Sequence, residues 1–323
     1  MGFIRLDGLD AVPSDLRRCV LAIGNFDGFH RGHQHVFKTV LQRARERGVP
    51  AVVMTFEPHP RDVFAPQPVM FRLTDADAKG KLSGALGLDA LVVMPFTREF
   101  SRIEAEDFIQ RFLIDALDVS RVIVGDDFRF GRDRRGTPDM LRQVGEVEGF
   151  VVEMLDLLEE GTGPVSSSRI RESLRSGELD EANQLLGYHW FIEGPVVVGD
   201  RRGKALGFPT ANLAVPPVFE LAQGVYAVRA QLGKRRLDGV ASYGKPMFDN
   251  ARPPFESFFF DFSDDIYGRH LSVALLGRVR GVEVFAGLPE LIAAMGRDVE
   301  HARRIITAVA PLSELDRKLG FVG

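Results

Sequence analysis

One stretch of the chain decides its fold class: Val20-Leu21-Ala22-Ile23-Gly24-Asn25-Phe26-Asp27-Gly28-Phe29-His30-Arg31-Gly32-His33. Its first part, Val20–Phe26, is apolar and predicts a buried strand, and apolar side chains recur at helical spacing over His33–Arg47. A strand that runs through a glycine-rich turn into a helix is typical of α/β proteins that bind phosphates at the helix start. The stretch therefore predicts both a fold class and a first site.

Strand-like and helix-like segments alternate on both sides of this turn. A helix is predicted over Glu104–Leu117, and further strands over Pro50–Phe56, Leu88–Met94, Arg121–Val124 and Phe150–Leu155. Strands that alternate with helices pair in parallel through right-handed crossovers. The first half of the chain is therefore predicted to be a three-layer α/β domain with a parallel sheet.

The pattern changes in the second half. Two short helices are predicted before Gly187, over Ser166–Leu174 and Leu179–Leu186. Short strand-like runs then follow without intervening helices: Gly194–Gly199, Gly224–Leu232, Leu237–Tyr243, Glu256–Phe262 and His270–Val279. Such spacing favours a small antiparallel β-barrel, and a helix over Leu288–Val309 is predicted to follow it at the end of the chain. We therefore predict two domains, residues 1–187 and 188–323.

Composition narrows the class of protein. A chain of 323 residues is long for a single core, and its 45% hydrophobic and 27% charged residues are typical of a globular protein. A net charge of -4 argues against a general nucleic-acid binder. No apolar run approaches the roughly 20 residues that span a bilayer. We expect a cytoplasmic protein with neither nucleic-acid nor membrane partners; a homo-oligomer stays open.

The glycine-rich turn offers the chemistry that a nucleoside triphosphate requires. Glycines let the backbone approach an anion closely, and a helix start adds N–H groups and a positive dipole end. Two histidines three residues apart can each donate a hydrogen bond to the charge that develops when an α-phosphate is attacked. A lone histidine would more often be a surface or core residue, but this density favours an ATP-using nucleotidyltransferase. The predicted catalytic residues are His30 and His33, and the predicted phosphate contacts are Gly24, Phe26, Asp27, Gly28 and Gly32.

A run of serines before the predicted helix at 166–174 offers a second anion site. Ser166, Ser167 and Ser168 present hydroxyls and backbone N–H groups at a helix start. Arg171, also predicted to be catalytic, adds a permanent charge whose planar fork can hold β- and γ-phosphate oxygens. The alternative is an ordinary N-cap with surface arginines.

Two loops that follow strands carry candidate ligand contacts. Pro58 and His59 come after a strand end, where open α/β sheets place ligands, although a rigid structural turn would have the same sequence. Asp127 with Phe128 and Phe130 combines a polar contact with stacking surfaces. Here the alternative is turn chemistry with phenylalanines that belong to the core.

The densest feature of the second half lies between Gly199 and Asn212. Glycines at Gly199, Gly203 and Gly207 allow a flap whose backbone amides fold over phosphates. Thr210 offers a hydroxyl and Asn212 a carbonyl oxygen, both suitable ligands for Mg²⁺. A barrel hairpin loop with surface charge is the alternative.

Glu256 begins a predicted strand that is apolar on both faces. A charged residue at such a place needs a reason. One explanation is that Glu256 acts as a general base, because burial raises the pKa of a carboxyl group towards the range that proton transfer requires. A salt bridge at the strand end is the other.

Together these segments resemble one family. Gly24–His33 resembles the His-x-Gly-His signature of nucleotidylyltransferases, and its wording is similar to the adenylyltransferase module of bacterial bifunctional riboflavin kinase/FAD synthetases. Thr55–Pro60, Gly125–Gly131 and Val165–Arg171 resemble the later motifs of that module, in the same order. Gly207–Asn212 resembles the riboflavin kinase signature.

The resemblance implies a Rossmann-like nucleotidylyltransferase domain followed by a riboflavin kinase barrel. The implied reactions are phosphorylation of riboflavin to FMN and adenylylation of FMN to FAD, each with ATP and Mg²⁺. Glu256 would be the catalytic base of the kinase, and Arg297 and Asp298 would lie on the helix that flanks the flavin. In the first domain the resemblance implies flavin contacts for Pro58, His59, Asp127, Phe128 and Phe130.

The chain departs from the family at the segment around Ser242, where Asn is usual, and at Met247, where Thr is usual. These departures motivate an alternative, an FAD synthetase whose kinase module is weakened. A non-catalytic flavin- or nucleotide-binding regulator is the third reading. Retention of both His30 and His33 argues against it, since a binder has no need of two such donors.

Overall fold

The computed structural model of the chain describes residues 2–155, 159–160, 163–198, 210–244 and 255–323. These residues fall into two units, Met1–Ser167 and Ser168–Gly323. No helix in the described part of the chain is both long and apolar enough to cross a membrane.

In the described part of the first unit, six parallel strands form one sheet in the order β1-β4-β3-β2-β5-β6. They are β1 (Ile4–Asp7), β2 (Val20–Ile23), β3 (Ala51–Glu57), β4 (Ala90–Pro95), β5 (Arg121–Gly125) and β6 (Val151–Leu155). The predicted parallel sheet is confirmed, with one strand more than predicted. β1 escaped prediction because it is a four-residue edge strand whose side chains are only partly buried.

Helices of the first unit connect these strands. They are α1 (Arg31–Arg47), α2 (Pro60–Phe64), α3 (Ala76–Leu86), α4 (Ala105–Phe108) and α5 (Pro138–Glu148). A π-helical stretch over Ile109–Ala116 continues α4, so the predicted helix at 104–117 exists but widens in its second half. Every residue of β2 is buried, as expected of a central parallel strand covered on both faces.

The order of the strands reverses at β2. β3 and β4 follow on one side of β2, whereas β5 and β6 lie on the other. In open α/β sheets, ligands bind outside the carboxyl ends of the strands at such a reversal. The carboxyl end of β2 leads into the turn at Gly24–His33, and β5 leads into the loop at Gly125–Gly131. The topology therefore brings two of the predicted motifs to the same edge of the sheet.

The described strands of the second unit close into an antiparallel barrel, in the order β10-β13-β12-β11-β14-β9. Its strands are β9 (Phe191–Val197), β10 (Thr210–Leu213), β11 (Gly224–Leu232), β12 (Arg235–Tyr243), β13 (Phe255–Phe259) and β14 (His270–Arg280). Helices α6 (Ser167–Ser176) and α7 (Leu179–Leu186) precede the barrel, and α8 (Leu288–Ala308) and α9 (Glu314–Leu319) follow it. A two-residue strand pair of the first unit, β7 (Glu159–Glu160) with β8 (Gly163–Pro164), comes before α6. The predicted barrel and C-terminal helix are confirmed. Thr210 and Asn212 lie on a barrel strand rather than in the predicted loop.

The helices before Gly187 pack on the barrel strands. The Asn183 side chain on α7 donates to the Leu275 carbonyl at 3.2 Å and accepts from the Trp190 backbone N–H at 2.8 Å. Such bonds explain why the division into units follows Ser167. The predicted domain boundary near Gly187 stays a prediction.

Candidate active sites

The turn after β2 is held in an unusual backbone conformation. Phe26 and Phe29 both have φ of 43°, and Gly28 has φ of 87°. Residues with side chains rarely adopt positive φ, so packing must hold this turn in place. A Cβ at Gly24 would lie 2.9 Å from the Phe26 ring. Glycine at Gly24 therefore leaves room for this ring to fold back over the strand end.

His30 and His33 stack face to face at the start of α1. Their ring centroids are 3.6 Å apart and their planes differ by 20°. His30 caps the helix, because its Nδ1 accepts a hydrogen bond from the His33 backbone N–H at 3.3 Å. The neutral His30 ring therefore carries its proton on Nε2. A Cβ at Gly32 would lie 3.1 Å from this ring, so glycine makes room for the stack.

His33 is held in its neutral form. Burial lowers the pKa of His33 well below its ordinary value, and two neighbours lower it further: His30 whenever its own ring is protonated, and the ammonium of Lys79. Its Nδ1 is buried and has no hydrogen-bond partner among the described residues. A buried N–H without a partner is rarer than a buried acceptor without one, so the neutral ring carries its proton on Nε2. Both stacked rings thus keep Nε2–H as their donor.

Asp27, predicted to contact ATP, is engaged inside the fold. Its buried carboxylate accepts hydrogen bonds from the backbone N–H groups of Leu73 and Thr74, both at 3.0 Å, and from the Thr74 hydroxyl at 3.2 Å. The Thr74 Oγ1 accepts in turn from the Gly28 N–H at 2.9 Å. Through these hydrogen bonds the Asp27 carboxylate holds the turn against residues 73–74. A contact of Asp27 or Gly28 with ATP stays a prediction.

A buried ion pair lies against the same turn, and the sequence analysis did not predict it. Lys79 Nζ donates to the Asn25 carbonyl at 2.9 Å, to Thr55 Oγ1 at 3.0 Å and to Glu57 Oε1 at 3.0 Å. Glu57 also pairs with Arg72. Burial lowers the pKa of Lys79, and the charge of Glu57 opposes that shift. No motif marks Lys79, since a helical lysine is ordinarily exposed.

The predicted flavin contacts after β5 differ in burial. Phe130 is buried in the core, with its ring 5.3 Å from that of Phe108. Phe128 stacks on Phe130 at 5.5 Å and is half-buried, whereas Asp127 is exposed. Phe130 therefore packs in the core and Phe128 with Asp127 can face a ligand, while a flavin contact for each of the three stays a prediction.

Pro58 and His59 follow β3 at the same edge of the sheet. Pro58 is exposed, and His59 caps α2 by accepting a hydrogen bond from the Arg61 N–H at 3.2 Å. This cap agrees with the alternative of a structural turn for His59. A flavin contact for either residue stays a prediction.

Ser167, the last residue of the first unit, is hydrogen-bonded to the turn at Gly24–His33, called the histidine turn below. Ser167 Oγ donates to the Asp27 carbonyl at 2.8 Å. The preceding residue, Ser166, is half-buried. Ser168 and Arg171 belong to the second unit, where Ser168 is exposed and Arg171 is buried on α6. Their phosphate contacts stay predictions.

The barrel places its predicted kinase residues on one face. Asn212 on β10 pairs with Glu256 on β13, and Glu256 pairs with Ser242 on β12. Residues that pair directly across neighbouring strands point to the same face. Thr210 pairs with Phe258, two residues along from that row, and so lies on this face as well. The row Asn212–Glu256–Ser242 with Thr210 is the candidate kinase face.

The oxygens of this face fit a hard cation. Thr210 offers a hydroxyl and Asn212 an amide oxygen, both of which suit Mg²⁺. No cluster of three or more His, Cys, Asp or Glu side chains occurs in the part of the chain that the structure describes. The predicted phosphate flap with Gly199, Gly203 and Gly207 lies outside the described residues, as does Met247.

Arg297 and Asp298, predicted to flank the flavin, have different surroundings on α8. The buried Asp298 carboxylate accepts two hydrogen bonds of 2.8 Å from Arg280 at the end of β14. Arg297 is exposed and lines a surface cavity with Phe285 and Glu290. Asp298 thus joins the helix to the barrel, and a flavin contact for either residue stays a prediction.

Two family models match the chain. One, described as FAD synthetase, matches residues 12–169, and the other, described as riboflavin kinase, matches residues 186–306. Proteins named bifunctional riboflavin kinase/FMN adenylyltransferase are similar over most of the chain. That of Escherichia coli K12 is 38% identical over 295 residues, 91% of this chain and 94% of its own length. That of Bacillus subtilis is 35% identical over 308 residues, with coverages of 91% and 94%.

A solved structure from Streptococcus pneumoniae, described as a macrolide-efflux protein, has a similar fold. Its TM-score is 0.80 at 29% sequence identity, and the match covers 94% of this chain and 99% of that one. An α/β unit followed by an antiparallel barrel is therefore an arrangement that a solved relative shares.

Proposed function

The chain belongs to the family of bifunctional riboflavin kinase/FMN adenylyltransferases, and we propose that its two reactions are divided between its two units. The barrel unit phosphorylates riboflavin with ATP to form FMN. The α/β unit then transfers AMP from a second ATP to FMN, which forms FAD and releases pyrophosphate. The observation that carries the proposal is the stacked histidine pair at the carboxyl end of β2.

Adenylyl transfer needs little from the protein in the way of covalent chemistry. An oxygen of the FMN phosphate attacks the α-phosphorus of ATP, and pyrophosphate leaves. Because that oxygen is already ionised, no general base is required. The rate then depends on positioning and on stabilising the charge that develops at the α-phosphate. His30 and His33 supply that stabilisation through their Nε2–H donors.

Replacement of His30 tests this assignment. His30→Ala should lower kcat for FAD formation from FMN and ATP by about 10²- to 10³-fold, the usual effect of losing one such donor. His35→Ala is the matched control, because His35 lies on the same helix with an exposed side chain. FAD formation by His30→Ala at the rate of His35→Ala would show that the histidine pair does not serve the reaction.

Glu256 serves the kinase reaction as general base. Its carboxylate takes the proton of the riboflavin 5′-hydroxyl while that oxygen attacks the γ-phosphorus of ATP, and ADP leaves. Support comes from its strand register: Asn212 and Thr210 lie on the same face, where they can hold the reacting phosphate end of the substrate. Mg²⁺ bound with ATP would neutralise phosphate charge, and Thr210 and Asn212 would hold it through their oxygens.

The kinase assignment has its own test. Glu256→Gln keeps the size and hydrogen-bonding capacity of the side chain and should lower FMN formation from riboflavin by about 10²- to 10⁴-fold. Glu314→Gln, at an exposed position on α9, is the control for loss of a carboxylate. Turnover of Glu256→Gln at the control rate would contradict the assignment. It would leave the adenylyltransferase assignment untouched, because FAD formation is assayed separately from supplied FMN.

A further inference from the structure

A buried charge that neither proposed reaction uses lies against the histidine turn. Lys79 on α3 is 2% exposed. Its ammonium has three N–H donors, and the structure gives it three acceptors within 3.0 Å: the Asn25 carbonyl, Thr55 Oγ1 and Glu57 Oε1. A neutral amine could not satisfy all three, so the group is charged. Burying a charge is costly unless it is paired, which raises the question of what this charge does.

The Asn25 carbonyl is the acceptor that leads to the site. It accepts from Lys79 Nζ at 2.9 Å and also from Thr55 Oγ1 at 2.8 Å. Two donors, one of them charged, therefore hold the orientation of the peptide between Asn25 and Phe26. In a planar trans peptide the N–H points opposite to the carbonyl. The Phe26 N–H must then point away from the buried Lys79.

We propose that Lys79 is a positioning residue for adenylyl transfer: it fixes the Asn25 carbonyl so that the Phe26 N–H faces the α-phosphate of ATP. The inference rests on the function proposed for this unit. It explains why Phe26 is kept at a positive φ of 43°, a conformation that the peptide would not hold unaided. The proposal also explains why the charged Lys79 is buried here. Its ammonium fixes the peptide, and an N–H dipole held towards the reacting phosphate stabilises the transition state without reorganising.

A purely structural role is the competing explanation. Glu57 lies between Lys79 and Arg72, so removal of Lys79 would weaken the partners of a largely buried carboxylate. In that case the whole effect of Lys79 would be to neutralise Glu57. The double variant Lys79→Met/Glu57→Gln separates the two roles, because it removes both charges together and leaves the Asn25 carbonyl without its charged donor.

The experiment uses the full chain and measures FAD formation from FMN and Mg-ATP, FMN formation from riboflavin, and the melting temperature. Lys79→Met should lower kcat for FAD formation about 30-fold or more, while KM for FMN changes less than about threefold and FMN formation is unchanged. The double variant should regain melting temperature but not kcat. Thr55→Val, which removes the other donor to the same carbonyl, should lower that kcat about threefold or more. Lys38→Met, at an exposed position on α1, is the control and should behave as wild type.

The proposal is overturned if Lys79→Met keeps its kcat for FAD formation, if the double variant recovers that kcat along with its melting temperature, or if Thr55→Val has the wild-type kcat. Should Lys79→Met fail to fold, the double variant and Thr55→Val still decide the question. His30→Ala is measured in parallel. If it loses FAD formation while the Lys79 variants do not, only the role of Lys79 is wrong; if it keeps FAD formation, the proposed function of the unit fails first.

Discussion

At the scale of single residues, the histidine pair shows how packing sets the chemistry of a side chain. The spacing of His30 and His33 predicted two donors on one turn, and the structure stacks their rings at 3.6 Å. It adds what spacing could not reveal, namely that the surroundings of the half-buried His33 lower its pKa and keep the ring neutral. A neutral donor carries no charge that must be removed from water before the substrate binds.

The lowered pKa of His33 makes stability depend on pH. The unfolded chain takes up a proton on this ring near pH 6.5, whereas the folded chain does so only at lower pH. The free energy of unfolding should therefore fall as the pH is lowered from about 7.5 to about 5.5. His33→Gln should reduce this dependence, as measured by urea unfolding at several pH values. An identical dependence in the variant would contradict the burial argument.

Asp27 has a role inside the fold that its position in the motif did not predict. Its place among the glycines and histidines indicated an ATP contact, but its carboxylate accepts bonds from Leu73 and Thr74. Asp27→Asn should lower the free energy of unfolding by about 1–3 kcal/mol, because the new amide turns a donor towards an N–H. Denaturant unfolding measures this loss. Unchanged stability combined with a large rise in KM for ATP would contradict the structural role and support the predicted ATP contact.

At the scale of elements, strand register does what sequence patterns could not. The glycine-rich sequence before Thr210 and Asn212 is typical of a loop, so the strand β10 was not predicted from the sequence. Once β10 is present, its pairing with β13 places Asn212 opposite Glu256. The motifs identified the three kinase residues separately, whereas the pairing that unites them is a tertiary property. Phe130 and Phe128 differ for the same reason, since neighbouring elements decide which ring is buried.

Ser242 extends the kinase row by one strand, and the family usually has Asn there. Because Ser242 pairs directly with Glu256, a longer amide at this position can reach the same region of the face. Ser242→Asn should lower KM for riboflavin by about fivefold, the effect of one added hydrogen bond of about 1 kcal/mol, with little change in kcat. Steady-state kinetics of FMN formation measure both constants. A KM that stays constant or rises would mean that this row does not contact the flavin substrate.

At the scale of the whole molecule, the alternation of strands and helices was sufficient to predict a parallel α/β unit followed by an antiparallel barrel. What it missed depends on contacts between distant segments. β1 is a short edge strand whose only partner among the described strands of the sheet is β4. The role proposed for Lys79 depends on its hydrogen bond to the carbonyl of Asn25, a residue far away in sequence. Neither leaves a local pattern, because burial of a single lysine or four-residue strand follows from the assembled fold.

The helices before the barrel provide a test of the domain boundary. A fragment of residues 188–323 loses α7, and with it the Asn183 amide that bonds to the Leu275 carbonyl and the Trp190 N–H. Two buried backbone groups would then lack partners, and apolar surface under α7 would be exposed. We expect this fragment to melt on the order of 10 °C below a fragment of residues 168–323. Equal melting temperatures would favour the boundary near Gly187.

The central claim is that one chain holds two separate reactions, with the histidine pair serving the second. Its most direct test is to supply riboflavin and Mg-ATP to His30→Ala, to Glu256→Gln and to an equal mixture of the two, and to resolve FMN and FAD over time. His30→Ala should accumulate FMN, Glu256→Gln should form neither flavin product, and the mixture should form FAD. FAD formation by His30→Ala alone at the wild-type rate, or no FAD from the mixture, would contradict the account.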